Sequence, residues 1–326
     1  MRLPGRLLVM TCLSALIGGS AVACSSPGSG LAIARSAAHA KPSAARTWTK
    51  KPPTPSPSPA APTIPVPSAP RGVRAKEAAL VDAATGQVLW SRAMNAERPI
   101  GSVAKVMTAL LVISAGNLDQ QIRIPREVLS YVWKYGATSA SLHPGDVLTA
   151  RQLLEALMLP SGADAAYALA ITYGPGMNAF IARMNATAAR MGMAHTHFTS
   201  PDGLPYPTEY STYSTPADLI TLGLAAMKSP VFRSVVDQTF YQLRKGPWHH
   251  AYWWDQTNEL VGHYAGAIGI KTGYTNDANH CLLFEAVRNG RALIGVVLDS
   301  PATGPGSAAI DAIRMLNWGF SLHQAH

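Results

Sequence analysis

Ser102 and Lys105 stand three residues apart in "RPIGSVAKVMTALLVI", residues 98 to 113. A serine hydroxyl is a weak nucleophile until a neighbouring base takes its proton. At helical i, i+3 spacing the two Cβ atoms lie about 5–6 Å apart, close enough for the amine to be that base. The lysine must first shed its own proton. Burial and a second cation both lower its pKa, and a fall from about 10.4 to about 7.5 costs about 4 kcal/mol. By itself the pair also fits a capping serine followed by a solvated lysine. Two later segments change that balance: "LPSGADAA" puts Ser161 on a helix-breaking turn, and "AIGIKTGYT" puts Lys271, Thr272 and Gly273 on a strand. Lys271 offers a fixed cation and Thr272 a hydroxyl, while Gly273 lets a substrate approach the backbone.

These elements occur in the order S-x-x-K, a second serine motif and K-T-G, which is the motif set of penicillin-binding proteins and class A β-lactamases. From about Glu77 onward the chain resembles the low-molecular-mass penicillin-binding serine D-alanyl-D-alanine carboxypeptidases. The segments that carry this resemblance are "ALVDAATGQVLWSRAMNAERPIGSVAKVMTALL", "LMLPSGADAAYALA", "FTSPDGL" and "TNELVGHYAGAIGIKTGYT". It implies an acyl-enzyme on Ser102, with Lys105 as base and Ser161 relaying a proton toward the leaving amine. Lys271 and Thr272 would hold the substrate's terminal carboxylate, and Lys271 would also depress the pKa of Lys105. Gly273 adjoins that site, and the backbone N–H groups of Ser102 and Tyr274 would meet the oxyanion. The implied substrate is a peptidoglycan stem peptide, β-lactam antibiotics are the implied inhibitors, and no metal or organic cofactor is called for. One departure stands out. The second motif usually ends in asparagine, and here that position is Ala163, which supplies neither donor nor acceptor. Slower turnover or altered substrate choice is the expected cost.

The elements that must position these residues read as an α+β arrangement, an antiparallel β-sheet flanked by helices with a helical subdomain, β-lactamase/DD-peptidase-like. "EAALVDAATGQVLW" reads as a hairpin around Gly86, and "NHCLLFEAVRNGRALIGVVLDS" as a second with Asn289-Gly290 at its turn. Between them lie helical patterns. One begins at the Ser102 segment with Val106, Ala109, Leu110 and Ile113 in rhythm; one begins at a Thr149 to Gln152 capping box; one repeats Met177, Phe180, Ile181, Met184 and Ala188. Ala308 to Gly319 closes the chain as a helix, so any tether is expected at the N-terminus. Cys281 reads as a small hydrophobe in a buried strand.

Upstream, residues 1–23 read as a signal peptide: Arg2 and Arg6, the apolar run Leu7 to Ile17, then Ala21-Val22-Ala23 before Cys24. "AVAC" resembles a lipobox, with Ala21 where leucine is usual, so a lipid-anchored Cys24 and plain secretion both stand open. Residues 24–74 form a basic linker with ten of the 25 prolines between 42 and 70, an extended spacer. Residues 75–326 form the catalytic domain. The chain's +9 charge does not argue for nucleic acid, because ten Lys or Arg and no acid lie in residues 1–76. The remainder has 17 basic residues against 18 acidic. An extracytoplasmic protein acting as a monomer is expected.

Two rival readings remain. A class A β-lactamase deacylates with a glutamate in an E-x-x-L-N loop; besides Glu259, only Glu209 lies between Ser161 and Lys271, and "YSTY" follows it. Rapid penicillin hydrolysis is therefore not expected. A non-catalytic wall-binding or regulatory protein is the other, prompted by Ala163. "WHHAYWW", residues 248 to 254, reads first as half-buried strand aromatics and second as an aromatic platform for glycan or peptide. His195 and His197 have a metal-like spacing without other ligands, and Asp202-Gly203 reads as a turn that the resemblance sets near the cleft.

Overall fold

The computed structural model describes residues 68–301 and 307–322. The expected signal peptide, Cys24 and most of the linker lie outside the described residues. In chain order the elements are β1 (Glu77–Asp82), β2 (Val88–Arg92), β3 (Arg98–Pro99), a 3-10 turn (Gly101–Ala104), α1 (Lys105–Ala115), β4 (Gln121–Arg123) and α2 (Glu127–Tyr135). Then come β5 (Val147–Thr149), α3 (Ala150–Met158), α4 (Ala163–Tyr173), α5 (Met177–Arg190), β6 (Tyr213–Ser214), α6 (Pro216–Met227) and α7 (Pro230–Val236). The chain closes with β7 (Phe240–Leu243), β8 (Tyr252–Asp255), β9 (Ala267–Thr275), β10 (Asn279–Arg288), β11 (Arg291–Ser300) and α8 (Ser307–Ser321).

The first and last strands meet in one antiparallel sheet, ordered β2-β1-β11-β10-β9. Both hairpins form as the turns predict, with Gly86 at φ +74° and the pair Asn289 and Gly290 at φ +50° and +76°. Alternate residues face opposite sides of a strand, and here both sides are covered. Ala78, Leu80, Leu282, Phe284, Leu293 and Val297 pack on α8 through Ala312, Met315 and Leu316. Ala79, Val81, Leu283, Ile294, Val296 and Leu298 belong instead to the larger core shared with the helices. Burial of both faces explains why β10 and β11 read as near-continuous apolar runs rather than alternations.

α1 lies at the centre of the helical part. Its rhythm marked Val106, Ala109, Leu110 and Ile113, yet Leu110 and Ile113 are only half-buried, while Met107, Thr108, Leu111 and Val112 are buried. A helix buried on nearly every side has no single apolar stripe. α3 starts with the expected capping box: Gln152 N–H donates to Thr149 Oγ1 at 3.1 Å, and Thr149 N–H donates to Gln152 Oε1 at 2.8 Å. On α5, Phe180, Met184 and Ala188 are buried and serve as core. Cys281 is buried too, and burial pushes its thiol pKa up to about 12. In β8, Tyr252 and Trp254 are buried while Trp253 is exposed, so strand alternation accounts for the aromatic run.

Candidate active site

Ser102 sits in the 3-10 turn that feeds directly into α1, whose first residue is Lys105. Lys105 Nζ lies 3.0 Å from Ser102 Oγ and 3.2 Å from the Asp202 carbonyl oxygen, and Lys105 is 2% exposed. The turn is clamped by backbone on two sides. A Cβ on Gly101 would fall 2.8 Å from Tyr274 N, and one on Gly273 would fall 2.3 Å from Ile100 O. One on Gly203 would fall 1.9 Å from Gly101 O. Only glycine allows such approach, so the loop at 203, the serine turn and β9 close on one another and fix Ser102 in place. Thr108 Oγ1 donates to Pro201 O at 2.6 Å, tying the same loop to α1.

Ser161 follows the end of α3 with φ +66°, a left-handed conformation that costs about 1 kcal/mol or more for a non-glycine residue. Its Oγ is buried without a hydrogen-bond partner among the described residues. Asp164, in the first turn of α4, braces the facing loop, accepting from Ser139 Oγ (2.6 Å), Ala140 N (2.9 Å) and Leu142 N (3.0 Å). Ala163 presents a buried methyl at the start of α4, and its N–H donates to Thr138 O at 2.8 Å. On β9, Lys271 is 1% exposed, with Nζ 3.2 Å from Thr272 O and 3.4 Å from Thr272 Oγ1. Thr272 Oγ1 lies 2.9 Å from Thr257 Oγ1.

Ser102 faces two openings. One, about 340 Å³, is lined by Ser161, Thr257, Thr272, Gly273 and Tyr274; the other, about 240 Å³, by Lys105, Ala163, Asp202, Glu209 and Tyr274. Thr138 borders both. The sequence-derived residues Ser102, Lys105, Ser161, Thr272, Gly273 and Tyr274 thus line one continuous region, with Lys271 buried beneath it. His195 does not join them; its Nδ1 meets Glu97 at 3.0 Å, and His197 pairs through its backbone with Tyr213.

The electrostatics are unusual. Burial pushes Lys105 below the ordinary lysine pKa, and the charges of Asp202 and Asp164 only partly oppose it. Lys271 is held well below its ordinary value, first by burial and then by repulsion from Lys105. Neither lysine forms a salt bridge among the described residues. Two buried ammoniums this close cannot both persist without cost. Both shifts favour the neutral amine, and carboxylate charges oppose the shift only at Lys105.

Three neighbours were not singled out from sequence as part of the site: Thr257, Asp164 and the Asp202 carbonyl. Thr257 begins "TNELVG" and Asp164 lies within "LPSGADAA", so both fall inside segments carrying the family resemblance. A main-chain carbonyl leaves no trace in residue type.

A model of the peptidase S11 family, D-alanyl-D-alanine carboxypeptidase, matches residues 64–302. The chain belongs to this family. Among its curated relatives, the D-alanyl-D-alanine carboxypeptidase of Streptomyces sp. strain K15 is 40% identical over 250 residues, 73% of this chain and 84% of that protein. The D-alanyl-D-alanine carboxypeptidase DacB2 of Mycobacterium tuberculosis is 34% identical over 262 residues, 80% of this chain and 86% of that protein. The crystal structure of the Streptomyces K15 DD-transpeptidase superposes with a TM-score of 0.71 at 39% identity, covering 76% of this chain and 98% of that one. A D-alanyl-D-alanine carboxypeptidase structure from M. tuberculosis gives 0.70 at 33% identity, covering 79% and 94%. The α+β fold and the hydrolase class expected from sequence are those of this family.

Proposed function

We propose that the protein is a serine D-alanyl-D-alanine carboxypeptidase that works through an acyl-enzyme on Ser102. The observation that carries this reading is the 3.0 Å approach of Lys105 Nζ to Ser102 Oγ, with the lysine buried and in no salt bridge among the described residues. The terminal carboxylate of a peptidoglycan stem peptide sits against Lys271, Thr272 and Thr257. Its negative charge favours the protonated form of Lys271, whose charge in turn favours a neutral Lys105 as the scissile carbonyl arrives. Ser102 Oγ attacks that carbonyl as its proton passes to Lys105. The backbone N–H groups of Ser102 and Tyr274 stabilise the oxyanion, a contribution of about 3–4 kcal/mol per donor in comparable sites. As the tetrahedral intermediate collapses, the C–N bond breaks and the departing D-alanine amine takes a proton relayed by Ser161 from Lys105. Water then attacks the ester, giving its proton to Lys105 and returning Ser102 to its hydroxyl form.

A β-lactam follows the same first steps, but its ring-opened acyl group stays on Ser102. Ala163 leaves the substrate backbone without a side-chain amide partner, and about 0.5–1.5 kcal/mol of binding is forgone. Export is supported by the leader-like residues 1–23, and Cys24 is the residue a lipid anchor would occupy; mass spectrometry of the mature N-terminus distinguishes the anchored from the secreted form.

The test is D-alanine release from an acyl-D-alanyl-D-alanine peptide, run beside Ser102→Ala and with a simple amine acceptor added. Release that disappears in the variant is expected. Transfer to the amine without free acid product would instead make the protein a transpeptidase. No release and no covalent penicillin adduct from folded protein would leave the non-catalytic wall-binding reading.

A further inference from the structure

The segment "LHPGD" and the run "WHHAYWW" meet through main-chain hydrogen bonds. Val147 N–H donates to Trp248 O at 2.8 Å, and His250 N–H to Asp146 Oδ2 at 2.8 Å. Two further bonds lock the first segment to residue 124: Ile124 N–H to Asp146 O and Gly145 N–H to Ile124 O, each 2.8 Å. On this braced backbone the rings of His143 and His250 stack, centroids 4.0 Å apart and 20° from parallel. One donor atom each from His143, Asp146 and His250 lies within 4.8 Å of the other two. Both histidines are exposed, while the Asp146 carboxylate is buried beneath them.

The inner nitrogens face a carboxylate and the hydroxyl bonded to it. His250 Nδ1 is 2.9 Å from Asp146 Oδ1 and 3.0 Å from Oδ2. His143 Nδ1 is 3.3 Å from the Tyr252 hydroxyl, which itself donates to Asp146 Oδ2 at 2.5 Å. Strand alternation in β8 aims Tyr252 inward, so the tyrosine orients the carboxylate from below.

We propose that His143, Asp146 and His250 form a binding site for a borderline divalent metal ion, with Zn²⁺ the best match. Two imidazoles and one carboxylate are a donor set suited to Zn²⁺, Cu²⁺ or Ni²⁺ and poorly suited to Mg²⁺ or Ca²⁺, which take oxygen ligands. Zinc sits about 2.0–2.2 Å from nitrogen or oxygen, so tetrahedral donors lie about 3.4 Å apart. The His250–Asp146 contact, now 2.9 Å, would open slightly and the other donors, within 4.8 Å, would close, movements within reach of two exposed rings. The ion replaces the hydrogen now shared between His250 Nδ1 and the Asp146 carboxylate, and draws His143 Nδ1 away from the Tyr252 hydroxyl. Tyr252 keeps its bond to Oδ2 and so leaves Oδ1 for the metal, the outer-shell role that steadies a ligating carboxylate. Water completes the coordination on the open side.

Occupancy would matter to the catalytic rim. The loop that carries His143 starts at Thr138, which borders both openings beside Ser102, and Ala140 O accepts from Trp254 Nε1 at 2.8 Å. The β8 strand that follows His250 leads on to Thr257. An ion joining the two segments would hold Thr138 and Thr257 at a fixed separation.

The experiment is calorimetric titration of Zn²⁺ into tag-free, chelator-treated full-length protein at neutral pH, with Mg²⁺ alongside and thermal melting as a second readout. One equivalent of Zn²⁺, a raised melting temperature and no heat with Mg²⁺ are expected. His143→Ala and His250→Ala should each weaken binding by at least about tenfold, while His195→Ala, at an exposed site elsewhere, should not change it. Circular dichroism establishes that each variant is folded, and His143→Gln serves if the alanine variant is not. Absence of a stoichiometric Zn²⁺ equivalent, or one that survives in the His143→Ala/His250→Ala double variant, would overturn the proposal.

Discussion

One end of the inner strands of the sheet and the catalytic pocket both bury charge, and they treat it in opposite ways. Beside β1 and β11, Arg98 Nε meets Glu77 Oε1 at 2.9 Å, and Lys76 Nζ meets Asp299 Oδ2 at 2.9 Å. Arg98 Nη1 reaches the same Asp299 oxygen at 3.5 Å, and Asn279 Nδ2 donates to Oδ1 at 2.7 Å. Burial alone would raise the pKa of Asp299, but the bonds from Lys76 and Asn279 more than offset it and hold the carboxyl below its ordinary value. In the pocket, Lys105 and Lys271 are buried more deeply and form no salt bridge among the described residues. A paired buried charge stabilises a fold only weakly but is costly to break. An unpaired one is a pKa device. The contrast separates residues kept for structure from those kept for chemistry.

The largest effect should come from the pocket. Lys105→Ala should cut acylation by penicillin by about 10²–10⁴, the worth of a general base, while leaving the melting temperature unchanged or higher. In the intact protein, acylation should rise with pH, because the base works only when neutral. The ascending limb should lie below the 10.5 of an ordinary lysine. Stopped-flow acylation across pH checks both. Breaking the network at the ends of β1 and β11 instead should give the reverse pattern: Arg98→Ala strands Glu77 and should cost about 3 kcal/mol in denaturant unfolding, with Ser102 acylation per folded molecule retained.

A third buried charge sharpens the comparison. Burial raises Glu155 to about 7, and only the Gln238 side chain bonds it closely, Nε2 to Oε2 at 2.9 Å. Its pKa is above the unfolded value of 4.5, so its contribution to stability is fully present below that value and is lost as pH rises through about 7. Glu155→Gln should therefore stabilise by about 2 kcal/mol at pH 8 and by little at pH 5, as read from paired thermal melts. Smallest of all, Ala163→Asn should change turnover of the dipeptide substrate by about tenfold or less, the worth of one hydrogen bond. Unchanged acylation and turnover would show that Ala163 carries no cost.

The sheet and its partners were legible because turn chemistry and apolar runs are local properties: Asn289-Gly290 fixes a hairpin whatever surrounds it. The core face of α1 was not, since periodicity describes a one-sided helix and this one is buried nearly all round. Ser102, Lys105, Ser161 and Lys271 were visible as residue types in a known order. Invisible were the parts contributed by main chain and by contact between distant segments. These include the Asp202 carbonyl at Lys105, the three glycines that let loop, turn and strand close, and the stacking of His143 on His250 from segments more than a hundred residues apart. The proton balance of the lysine pair is also a property of packing.

Intact-protein mass spectrometry after brief exposure to benzylpenicillin, followed by peptide mapping, tests the central claim most directly. One adduct of the antibiotic's mass on the peptide containing Ser102, absent from Ser102→Ala and strongly slowed in Lys105→Ala, is the predicted result. An adduct on another residue, or none on folded protein, would contradict the assignment of Ser102 as the nucleophile.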